Sequence, residues 1–256
     1  MIDLIFFDLP TYTALVLLGA VAGLATAYRY LQKRARRAVR LPIFLDGALI
    51  VCAVGWIGAR AYHVALNWEY YAARPDEIAQ IGLGGLGMRG ALIAGFLALA
   101  LYAQVRGLRF VKLADASALG LAIGQALGWG GALARGANYG AVSDSPFAVE
   151  LPDLYGLIAP RYPLQHLQVG LFVGLFLGLL ILAARRPRAG TLFLAYWLAA
   201  AAANFALGFL RGDETVYLGT LRLDQLVDLT FVGIAGGTWL ARNAVEQTRD
   251  VESYRP

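Results

Sequence analysis

The sequence predicts an all-α integral membrane protein with about seven transmembrane helices. Of its 256 residues, 59% are hydrophobic and only 15% are charged, which is too apolar for an ordinary soluble domain. Seven apolar stretches, each about as long as the roughly 20 residues that cross a bilayer, follow one another along the chain. The sequence shows no internal repeat and no shift in composition, so residues 1–256 are interpreted as a single membrane domain.

The predicted spans are separated mostly by short connections. In order, they cover residues 11–30, 43–66, 84–104, 113–134, 165–184, 190–210 and 222–241. The longest connection, residues 135–163, is a candidate lid or binding element, because long loops in compact proteins often serve that purpose. Residues 67–83 contain Trp68, Tyr70 and Tyr71, which are typical of an aromatic belt at a membrane surface. Whether this connection is a loop or an interfacial helix stays open.

Basic residues collect in four segments that an alternating path places on one side of the membrane. Together with Arg29, these segments hold 15 of the 22 Lys and Arg residues. Cytoplasmic loops carry such an excess, so this side is predicted to be the cytoplasm, with the N-terminus outside and the C-terminus inside. The formal net charge of +5 therefore indicates orientation in a bilayer, and no nucleic-acid partner is predicted. The segments are QKRARRAVR, QVRGLRFVK, ARRPR and the tail after Leu240.

The sequence offers no recognisable site for a metal or an organic cofactor. Cys52 is the only cysteine, which excludes intrachain disulfides and cysteine-based metal clusters. His63 and His166 are far apart and lack metal-ligand spacing. Neither a phosphate-binding loop nor a nucleophile elbow is present. The N-terminus, with Asp3 and Asp8 but neither Lys nor Arg, does not resemble a cleavable signal peptide.

Charged residues within or beside the apolar spans are costly and are therefore functional candidates. Asp224 and Asp228 are four residues apart, so on a helix they share one face, with Gln225 beside the first. In a structural interpretation, arginines pair with these aspartates and hold the helices together. The charged candidates are Asp46, Arg60, Arg89, Asp224 and Asp228 in the spans, with Arg135, Arg211 and Arg222 at outer ends.

A second interpretation is an anion site in the outer half of the membrane. Several guanidinium groups can converge on a phosphate through forked hydrogen bonds, and lipid headgroups are the phosphates available there. A small transporter is a third possibility, but it would need broken helices near the midplane and half-chain symmetry, and the sequence shows neither clearly.

Taken in order, the motifs resemble the prolipoprotein diacylglyceryl transferase family over nearly the whole chain. Tyr12 and Gly19 fit its first span. LDGALIVCAVGWIGARAYHVALNWEYY, with Asp46, Gly58 and Arg60, resembles its second span, and GGLGMRGALIAG resembles the next motif. VKLADASALGLAIGQALG resembles the stretch before the family signature. GTLFLAYWLAAAAANFALGFLRGDE and LRLDQLVDL resemble the last two spans.

The resemblance implies a multi-pass protein of the bacterial inner membrane that works at its outer face. The implied reaction moves a diacylglyceryl group from phosphatidylglycerol to the cysteine thiol of a lipoprotein precursor and leaves glycerol phosphate. Such chemistry needs cations that hold the departing phosphate and a means of deprotonating or orienting the thiol. It needs no cofactor.

The stretch GWGGALARGANYG, residues 128–140, stands where the family signature reads Gly-Arg-x-Gly-Asn-Phe-x-Asn-x-Glu. The arginine, both asparagines and the glutamate of that signature are absent here. Arg135 is a possible substitute for the lost arginine, but it lies six residues after Trp129, the aligned position. Six residues are about 240° around a helix, so the substitution would need an unwound backbone.

Other positions also depart from the family pattern. Arg89 stands where the family has a histidine, Asn204 replaces an arginine, and both Gly208 and Gln168 replace glutamates. Losing several catalytic charges that act together can remove an activity altogether. Family residues are retained at Arg161, Pro163, Gln165, Arg211 and Asp213.

Two hypotheses follow for the remaining outer cavity. The first is an active transferase with a rearranged arginine set, in which Arg89, Arg135 and Arg211 are catalytic. The second is a catalytically degenerate relative that binds an anionic phospholipid or a membrane partner without turnover. Both predict a bilayer lipid, phosphatidylglycerol or another anionic phospholipid, held by Tyr12, Arg60, Arg89, Arg211, Arg222 and Gln225. In both, Asp46, Asp224 and Asp228 form structural ion pairs.

Overall fold

The computed structural model describes residues 10–34, 39–80 and 84–253, with side chains as far as residue 245. Asp3, Asp8, Arg36 and Arg37, which entered the predictions above, lie outside these ranges. The described chain forms α1 (Thr11–Arg34), α2 (Leu41–Leu66), α3 (Trp68–Ala72), α4 (Met88–Val105), α5 (Phe110–Arg135), α6 (Leu164–Ala184), α7 (Thr191–Leu207) and α8 (Leu223–Ser253).

Six of these helices are long and apolar enough to cross a membrane: α1, α2, α4, α5, α6 and α7, the last of them counted on to Leu210. They coincide with the first six predicted spans, so the multi-pass, mainly α-helical class is confirmed. The seventh predicted span, residues 222–241, lies in α8, which is not among the six. A count of seven crossings therefore stays a prediction.

The chain divides into two compact units, residues 27–116 and residues 1–26 with 117–256. In the unit of residues 27–116, α2 and α4 run antiparallel in close contact. A Cβ atom added to Gly58 would lie 2.7 Å from the carbonyl oxygen of Gly90, so only glycine allows this approach of the two backbones. At the other end of the pair, the Tyr102 hydroxyl donates a hydrogen bond to the carbonyl of Ile43 at 2.6 Å.

In the other unit, glycines bring α1 and α5 together in the same way. A Cβ atom on Gly23 would lie 2.7 Å from the carbonyl oxygen of Gly120, and one on Gly19 would lie 2.9 Å from that of Gly124. Each helix thus presents two glycines four residues apart, the small-xxx-small pattern of membrane helix contacts. Dispersion and close packing, rather than a hydrophobic difference from lipid, hold such a pair together.

The connections that follow α5 and α7 contain two antiparallel hairpins that the sequence does not predict. In the 135–163 connection, β1 (Val149–Pro152) pairs with β2 (Ile158–Arg161). Before α8, β3 (Tyr217–Leu218) pairs with β4 (Leu221–Arg222). Isolated bridges also join Gly140 to Arg211 and Val142 to Arg161. The long connection is therefore an ordered cap on its unit.

Residues 67–83, left open as loop or helix, contain short helical pieces where they are described. The five-residue α3 follows α2 directly, and a 3-10 turn covers Pro75–Ala79. Trp68 is 61% exposed, so its side chain is available to lie at a membrane–water interface, as an aromatic belt residue does. These pieces bring the connection back over the end of α2, where Arg60 holds it.

Candidate functional site

Arg60 is buried near the end of α2 and is surrounded by backbone carbonyls. Its Nε donates to Ile78 at 2.9 Å, and its Nη2 donates to Glu77 at 2.7 Å. Its Nη1 donates to Gly84 at 2.9 Å and Gly85 at 3.1 Å, and a longer contact reaches the carbonyl of Gln80. A guanidinium has five N–H donors, so these carbonyls engage the whole group. Arg60 thereby fixes the connection between α3 and α4.

A cleft of about 410 Å³ lies beside Arg60. His63, one helical turn further along α2, lines it and meets the Tyr71 ring edge-on, with 5.9 Å between ring centroids. The Arg60 guanidinium also lies over that ring, 5.0 Å from its centroid. Gly85 has a φ of +76°, and a Cβ atom there would overlap both Arg60 and His63. The cleft therefore depends on a glycine in the left-handed region.

Arg89 and Asp46, the other charged candidates of this unit, lie on α4 and α2. Arg89 is partly buried in the first turn of α4. Asp46 forms an ion pair with Arg106 at 3.2 Å, with both side chains about half exposed. Arg106 also lies over the Tyr102 ring at 5.6 Å, which keeps its guanidinium near the pair.

In the other unit, one carboxylate links two arginines. Asp213 Oδ1 accepts from Arg211 Nε at 2.8 Å and from Arg222 Nη2 at 3.0 Å. Asp213 Oδ2 accepts a short hydrogen bond from Arg211 Nη2, which also donates to Asn138 Oδ1 at 3.1 Å. Asp224 lies 3.8 Å from Arg211 Nη1. The cluster ties the 135–163 connection to the start of α8.

The charges of this cluster compensate one another. Burial disfavours the charge on Arg211, but the hydrogen bonds and negative charge of Asp213, with Asp224 and Asp228 nearby, raise the pKa of its guanidinium above the ordinary value. Arg222 is 2% exposed and donates also to the Asp213 carbonyl at 3.0 Å. A charge-assisted network of this kind is strong because every member has partners close by.

Gln225 caps α8 rather than pointing into open space. Its Oε1 accepts from the backbone N–H of Arg222 at 3.0 Å, three residues earlier, and its Nε2 donates to the carbonyl of Phe205 at 3.0 Å. The first bond is half of a capping box. A Cβ atom on Gly208 would lie 2.7 Å from Gln225 Cγ, so the glycine provides the room that this glutamine occupies.

Arg135 and Tyr12 form a separate pair at the end of α5. The Arg135 guanidinium lies over the Tyr12 ring, 5.3 Å from its centroid, and Arg135 is exposed. Over the described residues no hydrogen bond or ion pair is found for this guanidinium, in contrast to Arg60 and Arg211. Gly131 lets α1 approach, because a Cβ atom there would lie 3.1 Å from the Tyr12 carbonyl oxygen.

The model for the prolipoprotein diacylglyceryl transferase family matches residues 1–241. The chain belongs to this family. Curated relatives agree with the assignment. The chain is 33% identical to the phosphatidylglycerol–prolipoprotein diacylglyceryl transferase of Geobacillus kaustophilus over 91% of its length and 88% of the relative. It is 34% identical to that of Bacillus licheniformis over 86% and 83%, and 31% identical to that of Thermosynechococcus vestitus over 93% and 89%.

In this family member the sequence interpretation missed a second buried ion pair. Arg161 Nη2 donates to Asp153 Oδ2 at 3.0 Å, and both residues are buried. Arg161 also lies over the Tyr139 ring at 4.7 Å. The sequence marks Arg161 only as a retained family residue and gives no indication that Asp153 is its partner, because it does not predict the hairpin that brings the two together.

Proposed function

We propose that this protein transfers the diacylglyceryl group of phosphatidylglycerol to the cysteine thiol of a prolipoprotein, in the inner membrane of a bacterium. The observation that carries the proposal is the match of residues 1–241 to the family, together with relatives that align over more than four-fifths of both chains and bear this activity in their names. Another anionic phospholipid is the alternative donor or bound lipid.

The proposed topology places the reaction at the outer face. It has seven crossings, with α8 as the last, the N-terminus outside and the C-terminus in the cytoplasm. The positive-inside asymmetry of the basic segments supports this orientation. Both hairpins, the Arg211 cluster and the Arg135–Tyr12 pair then belong to the outer side.

The transfer requires one bond to form and one to break. The cysteine sulfur bonds to the glycerol carbon of the diacylglyceryl group, the bond from that carbon to the phosphate oxygen breaks, and glycerol phosphate leaves as the thiol gives up its proton. Negative charge develops on the departing phosphate, so a positioned guanidinium lowers the barrier. No metal or organic cofactor is part of the proposal.

We propose that Arg135 binds the phosphate of the lipid. Its guanidinium is exposed and lies over the face of the Tyr12 ring. A ring face leaves the N–H donors at the edge of the guanidinium available for a forked contact with phosphate oxygens. Tyr12 then orients Arg135, so both members of the pair serve the headgroup. Because α5 stays helical as far as Arg135, this side chain does not take the place of the aligned Trp129, and the assignment rests on the exposed guanidinium itself.

The other candidates are proposed for holding the headgroup region together. Arg211, Arg222 and Gln225 shape the outer cap through their hydrogen bonds, and Arg211 stays a candidate for a direct catalytic contact. Arg60 and Arg89 are proposed to attract an anionic headgroup through their positive charge. Asp46, Asp224 and Asp228 are the proposed structural acids, and Asp46 and Asp224 have arginines beside them.

A second candidate function is lipid binding without turnover. It is favoured by the partners of Arg60, Arg211 and Arg222, since each of these guanidinium groups donates hydrogen bonds to acceptors within the protein. Positive charge attracts an anionic headgroup even when its donors are used, whereas phosphoryl departure needs donors aimed at the leaving oxygen. The two candidates differ only in turnover.

The test uses full-length protein in phosphatidylglycerol vesicles with a peptide that carries a prolipoprotein cysteine, and detects the diacylglyceryl adduct by mass. We expect the adduct to form, with the Geobacillus kaustophilus relative as positive control. If phosphatidylglycerol copurifies but no adduct forms, the transferase proposal is wrong and lipid binding replaces it.

Arg135→Ala tests the residue assignment separately. We expect its rate to fall by about 100-fold, the usual cost of one donor at a developing charge, with an unchanged melting temperature because the side chain is exposed. Arg185→Ala is the matched control, an exposed arginine in a basic segment. Full activity in Arg135→Ala would reject the role of Arg135 while leaving the transferase intact.

A further inference from the structure

The turn of the β1–β2 hairpin is apolar where turns are ordinarily polar. Turns exposed to water are rich in Gly, Asn, Asp, Ser and Pro. Here the turn and the first residue of β2 expose Leu154, Tyr155, Leu157 and Ile158, at 47%, 82%, 65% and 64% respectively. We call these four residues the hairpin tip. Single exposed apolar residues need no explanation, but a contiguous set marks an interaction site.

The tip is not needed to fold the hairpin, because Asp153 already organises the turn. Asp153 Oδ1 accepts from the backbone N–H groups of Tyr155 at 2.9 Å and Leu157 at 3.0 Å. Its other oxygen is paired with Arg161. Gly156 supplies the left-handed conformation, with φ +85°. The turn is thus held from inside, and its apolar side chains are left to face outward.

The hairpin lies where two membrane-crossing helices reach the surface. Gly136 directly follows α5, and a Cβ atom there would overlap the Asp153 carbonyl oxygen. Residue 155 is two positions from Asp153, a reach of at most about 7 Å. The interfacial layer of a bilayer is about 5–8 Å thick on each side. The distance from Asp153, beside the end of α5, to residue 155 is therefore no greater than the thickness of the headgroup layer.

The surface beside the tip is the exposed apolar side of a candidate membrane-crossing helix, α6. β2 ends at Arg161 and α6 begins at Leu164, and Leu167, in the first turn of α6, is 44% exposed. The lipid-facing side of α6 thus starts six residues after the end of the hairpin. Residues 154–160 carry no charged side chain, so contact with lipid would be apolar and not electrostatic.

We propose that the β1–β2 hairpin inserts its tip into the adjacent leaflet of the bilayer and anchors the 135–163 connection on the membrane. Leu154, Leu157 and Ile158 contact acyl chains, and Tyr155 lies at the headgroup boundary, where its ring is apolar and its hydroxyl is hydrated. The insertion does not depend on whether the protein is an active transferase.

The test measures the depth of a nitroxide label in vesicles of phosphatidylcholine and phosphatidylglycerol. The background is full-length Cys52→Ala, which removes the only cysteine. Leu157→Cys reports the tip, Asp144→Cys reports an exposed polar position in the same connection, and Val173→Cys reports a lipid-facing position within α6. These positions are exposed or at the lipid-facing surface, and each variant is used only if its melting temperature matches that of the background.

We expect the label at 157 to collide with oxygen in preference to a water-soluble nickel chelate, as at 173, with an accessibility ratio several-fold above that at 144. The ratio should stay the same in high salt, because the contact is apolar. Nickel access at 157 equal to that at 144 would overturn the proposal. Shielding that appears only after a precursor peptide is added would overturn it too, and would make the tip a peptide-docking surface.

Discussion

Arg60 and Arg211 show two ways in which this membrane protein accommodates an arginine near the end of a span. Arg60 donates to the uncharged backbone carbonyls of residues 77, 78, 80, 84 and 85. Arg211 is bound instead by the carboxylate of Asp213, with Asp224 nearby. Both guanidinium groups donate hydrogen bonds within the protein, but only Arg211 donates to a carboxylate that compensates its charge. Hydrogen-bond satisfaction and charge neutralisation are therefore separate properties of a buried arginine.

The difference matters for an anionic substrate. The carbonyls around Arg60 do not neutralise its positive charge, and its field can attract a lipid headgroup, although Glu77, which accepts a hydrogen bond from Tyr70, lines the same cleft. The Arg211 cluster, by contrast, is a structural tie whose strength depends on keeping each charge paired. Removing a partner should accordingly have different consequences in the two regions.

The largest effect is expected from breaking the charge-compensated cluster. Asp213→Ala leaves Arg211 and Arg222 without their shared carboxylate, and removing one member of a buried ion pair costs about 3–5 kcal/mol. We expect a clearly lower melting temperature in detergent, measured by intrinsic tryptophan fluorescence. Glu214→Ala, an exposed neighbouring carboxylate, is the control and should melt like the parent. Equal melting of both variants would contradict the importance of the cluster.

Replacing Arg60 should lower the free energy of unfolding by less than Asp213→Ala does, because the freed carbonyls can bind water at the surface. Arg60→Leu removes charge-assisted hydrogen bonds, and we expect a loss of about 2 kcal/mol with faster proteolysis of residues 75–85. Arg60→Lys keeps the charge but has three N–H donors instead of five. Compared with Arg60→Leu, it should therefore restore lipid retention more fully than it restores the resistance of the connection to proteolysis. Arg74→Ala, an exposed arginine of the same connection, is the control. Identical behaviour of the leucine and lysine variants would contradict the separation of charge from hydrogen bonding.

The glycine contact between α2 and α4 provides a test that involves no charge. Gly58→Ala places a Cβ atom against Ala94 and the Gly90 carbonyl, and such overpacking typically costs about 1–2 kcal/mol. Gly174→Ala is the matched control, since a Cβ atom there meets nothing within 4 Å. The melting temperature should fall only for Gly58→Ala, and a larger loss than for Asp213→Ala would show that packing outweighs the ion cluster.

The smallest effect is expected at the pair of Asp46 and Arg106. Their side chains are 55% and 46% exposed, and exposed ion pairs contribute about 0.5 kcal/mol. Arg106→Ala should therefore shift the melting temperature slightly, and less in high salt than in low salt because ions screen the pair. A salt-independent shift would instead point to the stacking of Arg106 on Tyr102.

The candidate site was less predictable from sequence than the spans were. The spacing of Asp224 and Asp228 indicated a shared helix face, but it did not show that Asp224 approaches Arg211 or that Asp213 is the main partner of two arginines. The role of Gln225 at a headgroup stays a prediction, and the sequence does not show that its amide bonds the backbone groups of Arg222 and Phe205. Short polar motifs reveal which residues are costly to bury and leave their partners undetermined.

The sequence by itself determined the class of the protein, the position of six crossings and the family. These follow from local properties, because an apolar run of about 20 residues is a sufficient signal for a span and ordered motifs can be compared without coordinates. Tertiary structure alone decided the partners of the charged side chains and the hairpin pairing in the 135–163 connection. Arg211 and Asn138 are 73 residues apart, and Arg60 binds carbonyls 17–25 residues away. Carbonyls occur at every residue and carry no sequence signal, so only folding selects which of them a buried guanidinium will bind.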